Sequence, residues 1–172
     1  MSDLKAIYLI VSGASAARCV PNLIEALTQF ELPIYTFLTR DAHNIISPYN
    51  LADQEGHTLV QGYFDPVLVN SREPGLTLVA PATFNTLNKI SQGIADTLPH
   101  SLAAEAIGAG WPVIVVPAMN LYLYNHPKTA QSVAALRSWG IMVLEPVMER
   151  DLLVMAPEQD IIAAVRTALQ SR

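Results

Sequence analysis

The stretch Lys5-Ala6-Ile7-Tyr8-Leu9-Ile10-Val11-Ser12-Gly13-Ala14-Ser15-Ala16-Ala17 decides the fold of this chain. Residues 4–11 form a nearly continuous apolar run, which is typical of a parallel strand covered on both faces. The small residues that follow favour a tight turn leading into a helix. We therefore predict a strand, a turn and a helix N-terminus, the opening unit of an α/β fold.

Apolar runs and helical patterns alternate along the rest of the chain. Further strands are predicted at residues 34–38, 76–79, 113–116 and 141–144. Helices are predicted from the first turn through Phe30, at 42–46, 84–91, 98–108 and 158–169, and before Trp139. Residues 47–75 are rich in proline and glycine and predict a loop with short helical pieces. The pattern predicts a doubly wound parallel sheet in one domain, residues 1–172.

Composition excludes several classes of function. The chain is 51% hydrophobic and carries a net charge of −5, with ten scattered Lys and Arg residues, which argues against nucleic acid or an anionic membrane as partner. A single cysteine, Cys19, excludes an intramolecular disulfide. No apolar run of about eighteen residues predicts a membrane span, and the first residues lack a signal-peptide pattern. We expect a cytoplasmic protein.

Polar residues follow several predicted strands where those strands end. Thr83, Asn85 and Thr86 follow one strand, and Thr39 follows another. Ligands of open α/β sheets bind beyond the carboxyl ends of the strands, so these side chains predict one shared site. The turn at residues 12–17 predicts an anion site, because a helix N-terminus presents unpaired N–H groups.

Each of these features also has a purely structural explanation. Small residues after a first strand are often required for packing, and residues 12–17 do not form the G-x-G-x-x-G pattern of dinucleotide sites. Thr83 and Thr86 could cap the helix at 84–91. The anion site is therefore one of two open explanations.

Four motifs together resemble the homo-oligomeric flavin-containing cysteine decarboxylase family, which includes phosphopantothenoylcysteine and lantibiotic peptidyl-cysteine decarboxylases. The motifs are Ser12-Gly13-Ala14-Ser15-Ala16-Ala17, residues 80–89, Gly93-Ile94-Ala95-Asp96 and Pro117-Ala118-Met119-Asn120. The resemblance implies a flavodoxin-like (Rossmann-like) three-layer fold. It also implies FMN bound between the subunits of a homotrimer, or of a dodecamer built from trimers.

The same resemblance assigns the site residues. By motif match, FMN would contact Gly13, Ala14, Ser15, Thr39, Thr83, Phe84, Asn85, Thr86 and Ala118. Asn120 matches the asparagine that holds the substrate carboxylate in the family, a task suited to an amide with two N–H donors. A loop-capping role is the structural alternative for Asn120.

The chain departs from the family pattern in its substrate half. Val67 stands where the family has a histidine that acts in substrate oxidation, and valine cannot transfer a proton. His57 and Asp65, in the same irregular region, are candidate replacements. His43, His100 and His126 lack partners at metal-ligand spacing, so no metal is predicted.

Two further departures concern the residues around the substrate. The family's Met-Trp ending after the Asn120 motif becomes Leu123-Tyr124, which preserves apolar and aromatic character. The family's flexible clamp corresponds to residues 145–157 in this chain. This segment is short and contains no cysteine. Cys19 lies in the first predicted helix, where we expect a buried small hydrophobe.

These observations favour an FMN-dependent enzyme that oxidises or decarboxylates a small or peptidyl carboxylate. The first alternative is a catalytically silent FMN-binding partner or regulatory subunit, which Val67 and the short clamp favour. The second is a relative of flavin prenyltransferases or of the dipicolinate synthase flavoprotein subunit. Residues 13–15 resemble the prenyltransferase turn, but residues 117–120 fit that group poorly.

Overall fold

The computed structural model describes residues 4–69 and 73–170 and has a parallel six-stranded sheet at its centre. Strand β1 (Ala6–Val11) is buried at every residue. Successive side chains of a strand point to opposite faces, so Ile7 and Leu9 join one apolar core while Tyr8 and Ile10 join the other. This two-sided burial explains why the strand reads as an unbroken apolar run.

The order of the strands fixes where a ligand site can form. The other strands are β2 (Ile34–Leu38), β3 (Thr58–Leu59), β4 (Gly75–Ala82), β5 (Val113–Pro117) and β6 (Met142–Val143). Their order in the sheet is β3-β2-β1-β4-β5-β6. The chain builds outward from β1 to β3 and then crosses to the other side of β1 with β4. A crevice therefore opens at the carboxyl ends of β1 and β4, where the direction reverses.

Helices cover both faces of the sheet and make three layers. They are α1 (Val20–Leu27), α2 (Pro48–Ala52), α3 (Pro66–Val69), α4 (Phe84–Ser91), α5 (Leu98–Gly108), α6 (Leu121–Tyr124), α7 (Pro127–Ser138) and α8 (Glu158–Gln170). Helices α1 and α8 pack on one face, and α4, α5 and α7 pack on the other. Within the described ranges, none of these helices has the length and apolar character needed to cross a membrane.

The predicted architecture, an α/β doubly wound parallel sheet, is confirmed, with the predicted helices 84–91 and 98–108 matched by α4 and α5. The helix predicted at 42–46 is a 3-10 helix, Arg40–Asn44. Residues 47–75 contain β3 besides the predicted helical pieces, and residues 70–72 of this range lie outside the described part. Strand β3 was missed because two residues carry no periodicity.

A two-stranded antiparallel hairpin was not predicted at all. It pairs β7 (Val147–Glu149) with β8 (Leu152–Val154). Its turn residues, Arg150 and Asp151, have positive φ angles of 45° and 66°. Such turns usually contain Asn-Gly or Asp-Gly, so Arg-Asp gave no hairpin signal. The hairpin occupies the segment that was aligned with the family's clamp.

Candidate functional site

A cavity of about 1240 Å³ opens at the crevice between the ends of β1 and β4. Its walls come from the loops after β1, β2, β4 and β5, from α1 and α8, and from the β7–β8 hairpin. Eight of the ten predicted site residues line it: Gly13, Ala14, Ser15, Thr83, Phe84, Asn85, Ala118 and Asn120. The topology thus brings together residues that are far apart in sequence.

The hydroxyl of Ser12 ties the loop after β1 to the loop after β4. It donates to the carbonyl of Pro81 at 2.7 Å and accepts from the N–H of Thr83 at 2.8 Å. Ser12 is 1% exposed, so both bonds lie away from water. The two loops that carry most of the predicted flavin contacts are therefore held in one arrangement.

Gly13 allows the loop after β1 to lie directly against the loop after β2. A Cβ atom on Gly13 would lie 2.6 Å from the Cβ of Asp41 and 2.8 Å from its carbonyl carbon. Real Cβ atoms essentially never lie this close to other heavy atoms, so only glycine, which has no Cβ, fits at this position. Ala14 and Ser15 follow at the cavity wall, and Ser15 is exposed there.

The loop after β4 presents polar and aromatic groups to the cavity. Thr83 caps α4, because its hydroxyl accepts from the N–H of Thr86 at 3.3 Å. The amide of Asn85 is exposed and makes no hydrogen bond within the described residues. The Phe84 ring packs edge-on against His126, with centroids 5.4 Å apart. This wall therefore presents to a ligand the Asn85 amide, which has no hydrogen-bond partner among the described residues, beside the Phe84 ring that packs on His126.

Asn120 stands on the opposite wall as the cap of α6. Its Oδ1 accepts from the N–H of Leu123 at 3.0 Å. The structural alternative, a capping amide, is thus present. The cap also orients the side chain, and the two Nδ2 hydrogens have no protein partner among the described residues. Capping and ligand binding are compatible because they use different atoms of the amide.

The start of the hairpin segment is fixed to α6 and α7. The hydroxyl of Tyr124 donates to Glu145 Oε2, and Arg137 Nη2 donates to Glu145 Oε1 at 2.5 Å. Burial, together with the bond to Glu145, raises the pKa of Tyr124 to about 12. The bonds from Tyr124 and Arg137 lower the pKa of Glu145, which therefore stays ionised. The anchored end positions the hairpin beside the cavity.

Comparison with known proteins assigns the family of this chain. The flavoprotein family model matches residues 1–170. The chain belongs to the flavoprotein family. A probable phosphopantothenoylcysteine decarboxylase from Streptococcus mutans is 31% identical to it over 149 residues, 83% of each protein. The phosphopantothenoylcysteine decarboxylase of Mus musculus is 31% identical over 173 residues, 92% of this flavoprotein and 84% of the relative.

Solved structures agree with the predicted fold. The FMN binding protein AtHal3 superposes with a TM-score of 0.82 at 26% identity over 98% of each chain. A PPC decarboxylase mutant complexed with pantothenoylaminoethenethiol gives a TM-score of 0.81 at 26% identity, over 95% of this chain and 97% of that one. The predicted resemblance and the flavodoxin-like fold are therefore confirmed.

Some relatives of this flavoprotein are longer proteins. The coenzyme A biosynthesis bifunctional protein of Thermococcus kodakarensis is 29% identical over 167 residues. The match covers 94% of this chain and 41% of that relative. The flavoprotein thus spans about two fifths of the bifunctional relative.

Two predicted contacts of this flavoprotein do not line the cavity. Thr39 is half-buried at the end of β2, and its neighbour Asp41 reaches the cavity instead. Thr86 is 3% exposed, and its hydroxyl accepts from Thr83 Oγ1 at 3.2 Å. The structure therefore places Thr86 behind the wall that Thr83 forms.

The prediction for Cys19 is wrong. The residue is exposed and lines the cavity, because it ends the 3-10 helix Ser15–Cys19 instead of lying inside a packed helix. Asp41, Glu149 and Asp151 also line the cavity and were not among the predicted site residues. The strand-end rule could have found Asp41, whereas the two hairpin residues carried no sequence signal.

The candidate replacements for the family histidine lie elsewhere. His57 Nε2 donates to the carbonyl of Leu51 at 2.8 Å, and its Nδ1 lies 2.9 Å from Thr36 Oγ1. Burial lowers the pKa of His57, which favours the neutral ring. Neither His57 nor Asp65 lines the cavity. Val67 lies in α3, and its side chain is outside the described part of the structure.

Two of the remaining histidines, His100 and His126, make hydrogen bonds that serve the structure. His126 caps α7 by accepting from the N–H of Lys128 at 3.0 Å. His100 is buried, with Nδ1 2.6 Å from Thr97 Oγ1. Across residues 4–69 and 73–170, no three His, Cys, Asp or Glu residues form a group that could hold a metal ion.

Proposed function

We propose that this flavoprotein is an FMN-dependent enzyme that oxidises or decarboxylates a small or peptidyl carboxylate. One observation carries the proposal: the cavity brings the loop at Gly13–Ser15, the loop at Thr83–Asn85 and the Asn120 amide into one site. Relatives named as phosphopantothenoylcysteine decarboxylases support the reaction class. FMN, the predicted cofactor, agrees with the family and with the FMN binding protein AtHal3.

The residues of the cavity fit FMN in size and chemistry. A volume of about 1240 Å³ exceeds the roughly 300–1,000 Å³ of common ligand pockets, so it accommodates a cofactor and a substrate together. Ser15 and Asn85 offer a hydroxyl and an unpaired amide. Phe84, Ala118 and Met119 offer apolar contact for a ring system. We assign the flavin to this half of the cavity.

The protein's part in the reaction is binding and orientation. When bound, FMN supplies a two-electron acceptor. The Asn120 amide donates its two Nδ2 hydrogens to the substrate carboxylate, and the α6 cap holds that amide in place. The hairpin residues Leu152, Leu153 and Val154 line the cavity and offer apolar contact to the substrate.

A second candidate is a catalytically silent, FMN-loaded partner or regulatory subunit. The resemblance to the family favours it, because the resemblance aligns Val67 with the family histidine and aligns the clamp with residues 145–157, which contain no cysteine. In addition, no histidine lies among the described residues that line the cavity. The two candidates share the cofactor and differ in turnover.

The test begins with the purified protein. We expect the near-ultraviolet and visible absorption spectrum of an oxidised flavin, and release of FMN on denaturation, identified by mass. The loaded protein is then mixed with a peptide that ends in cysteine, and carbon dioxide release is measured. Turnover supports the enzyme, flavin without turnover supports the silent partner, and failure to bind added FMN contradicts both.

We further propose that the flavoprotein assembles as a homotrimer, or as a dodecamer built from trimers. Tyr49, Tyr63 and Phe64 are 85%, 55% and 93% exposed. Large exposed aromatic side chains are candidates for a contact surface, and all three belong to the chain segment that connects β2 to β4 in sequence. The finer localisation, cytoplasmic, remains a prediction.

Light scattering gives the direct measurement of this assembly. We expect a mass of about three times, or twelve times, the 18.7 kDa chain. Replacing Phe64 with serine should shift the mass towards the monomer, because the exposed ring loses its apolar contact area. Phe64→Tyr keeps the ring and should keep the assembly. A monomer in the unmodified protein would contradict the proposal.

A further inference from the structure

The helix that Asn120 caps, α6 (Leu121–Tyr124), is a single turn. So short a helix is not stable by itself, because the cost of forming the first turn is not offset by further hydrogen bonds. Its orientation must therefore come from contacts with the rest of the protein. The direction in which the Asn120 amide points depends on the same contacts, because that side chain is bonded to the turn.

Asn120 and Tyr124 are directly linked, although they lie at opposite ends of this turn. The N–H of Tyr124 donates to the Asn120 carbonyl at 3.0 Å, and the N–H of Leu123 donates to Asn120 Oδ1 at 3.0 Å. The backbone and the side chain of Asn120 are thus both bonded to the far end of α6. A change in the position of Tyr124 therefore changes the position of the Asn120 amide.

Two side-chain hydrogen bonds connect α6 to other parts of the fold, within the ranges that the structure describes. Thr129 of α7 is 2% exposed, and its hydroxyl donates to the Leu123 carbonyl at 2.6 Å. The Tyr124 hydroxyl donates to Glu145 Oε2. The first bond attaches α6 to α7, and the second attaches it to the chain that leaves β6. With only these two bonds, each contributes strongly to the orientation of the turn.

The Glu145 carboxylate is a fixed acceptor for the Tyr124 hydroxyl. The N–H of Leu144 donates to a carbonyl of β5 at 3.0 Å, so the preceding residue is attached to the central sheet. Arg137 Nη2 donates to Glu145 Oε1 at 2.5 Å and to the Val143 carbonyl at 2.9 Å. These bonds lower the pKa of Glu145, and the ionised carboxylate strengthens the bond from Tyr124.

We infer that Tyr124 is a positioning residue for the substrate carboxylate, because its hydroxyl, held by Glu145, orients α6 and with it the Asn120 amide. This inference rests on the proposed function, in which Asn120 receives that carboxylate. Neither Tyr124 nor Glu145 is among the described residues that line the cavity. The pair therefore acts through the helix and not by contact with the ligand.

The expected effect follows from the strength of one hydrogen bond. Without the Tyr124 hydroxyl, α6 takes other orientations, and affinity falls with the fraction of molecules in the competent one. The Glu145 side chain is 59% exposed, so water competes for it and the ordinary net value of a hydrogen bond applies. Tyr124→Phe should therefore weaken carboxylate binding by about 2–12-fold.

The test compares two N-acetylated tetrapeptides of one sequence, one with a free C-terminal carboxylate and one with a C-terminal amide. Both end in serine, whose hydroxyl replaces a thiol, so that the flavin does not consume them. Calorimetry with displacement titrations measures both Kd values, and absorption measures flavin content. We expect Tyr124→Phe to weaken the acid peptide while the amide peptide and the flavin content stay unchanged. A purely structural loss would weaken both peptides alike.

Two further variants complete the experiment. Tyr49→Phe is the matched control, because its hydroxyl is on an 85% exposed side chain outside the cavity and has no hydrogen bond among the described residues. It should leave the preference for the acid peptide intact. Glu145→Ala removes the acceptor and should reduce the preference as much as Tyr124→Phe does. The double variant should reduce it no further, since both changes remove the same bond.

The outcomes separate this inference from the proposed function. A smaller preference in Tyr124→Phe that Glu145→Ala does not reduce further supports the inference. An unchanged preference in Tyr124→Phe, equal weakening of both peptides, or additive effects in the double variant would overturn it. Equal Kd values in the unmodified protein would overturn it together with the role of Asn120. A missing flavin signal would instead count against the proposed cofactor, and the peptide comparison would still decide the inference.

Discussion

Replacing Gly13 with alanine should lower FMN affinity by about 5–150-fold. The added Cβ would lie 2.6 Å from Asp41 Cβ and 2.8 Å from the Asp41 carbonyl carbon. The second of these atoms is backbone, so the clash cannot be relieved by rotating a side chain. Forced overpacking typically costs about 1–3 kcal/mol, which corresponds to that range of affinity if the shift falls on the loop that contacts the flavin.

Equilibrium dialysis of the apoprotein against FMN measures the effect. Gly62→Ala is the matched control, because a Cβ there meets nothing within 4 Å and the backbone is not left-handed. The melting temperature of both variants is recorded as well. Unchanged FMN affinity in Gly13→Ala would show that this loop does not form the flavin site. A large loss of stability with unchanged affinity would lead to the same conclusion.

The fold was predictable because its strands are buried on both faces. Strands β1, β4 and β5 are buried at every residue, and such runs can be recognised without knowing their neighbours. Strand order cannot be read from one sequence by periodicity, since it depends on contacts between distant segments. The position of the crevice between β1 and β4 therefore came from the structure.

The candidate site was predictable where it follows strand ends. Thr83, Asn85 and Asn120 come directly after β4 and β5, so the strand-end rule reaches them. Thr39 and Thr86 satisfy the same rule, yet they do not line the cavity. The strand-end rule predicts at which edge of the sheet a residue lies, but it does not predict the direction in which the side chain points.

The hairpin was beyond sequence reasoning for a different reason. Its two strands have three residues each, and its left-handed turn uses Arg150 and Asp151 instead of glycine. Glu149 and Asp151, which belong to this hairpin segment and line the cavity, were missed for the same reason. Short elements with unusual turns contain too few positions for a recognisable hydrophobic pattern.

Replacing Asn120 with aspartate should reduce productive binding of a cysteine-terminated peptide by about 100-fold while leaving the fold and the flavin intact. Aspartate caps helices as well as asparagine, so α6 should keep its Leu123 N–H bond. The variant loses the Nδ2 donors and places a negative charge beside the substrate carboxylate. Hydrogen bonds to charged groups contribute about 1.5–3 kcal/mol, and like-charge repulsion adds to the loss.

A series at this position separates the two roles of Asn120. Asn120→Ser keeps a capping oxygen without the amide donors, and Asn120→Ala loses the cap as well, at a cost of about 1 kcal/mol in stability. If Asn120 binds the carboxylate, Kd and turnover for the peptide should weaken in all three variants and most in Asn120→Asp, whereas the melting temperature should fall only in Asn120→Ala. If peptide affinity instead falls only in Asn120→Ala, together with the melting temperature, then Asn120 serves only as the helix cap of α6. If Asn120→Asp loses its flavin, Asn120 contacts the cofactor and not the substrate, because the aspartate charge then acts on the flavin half of the cavity.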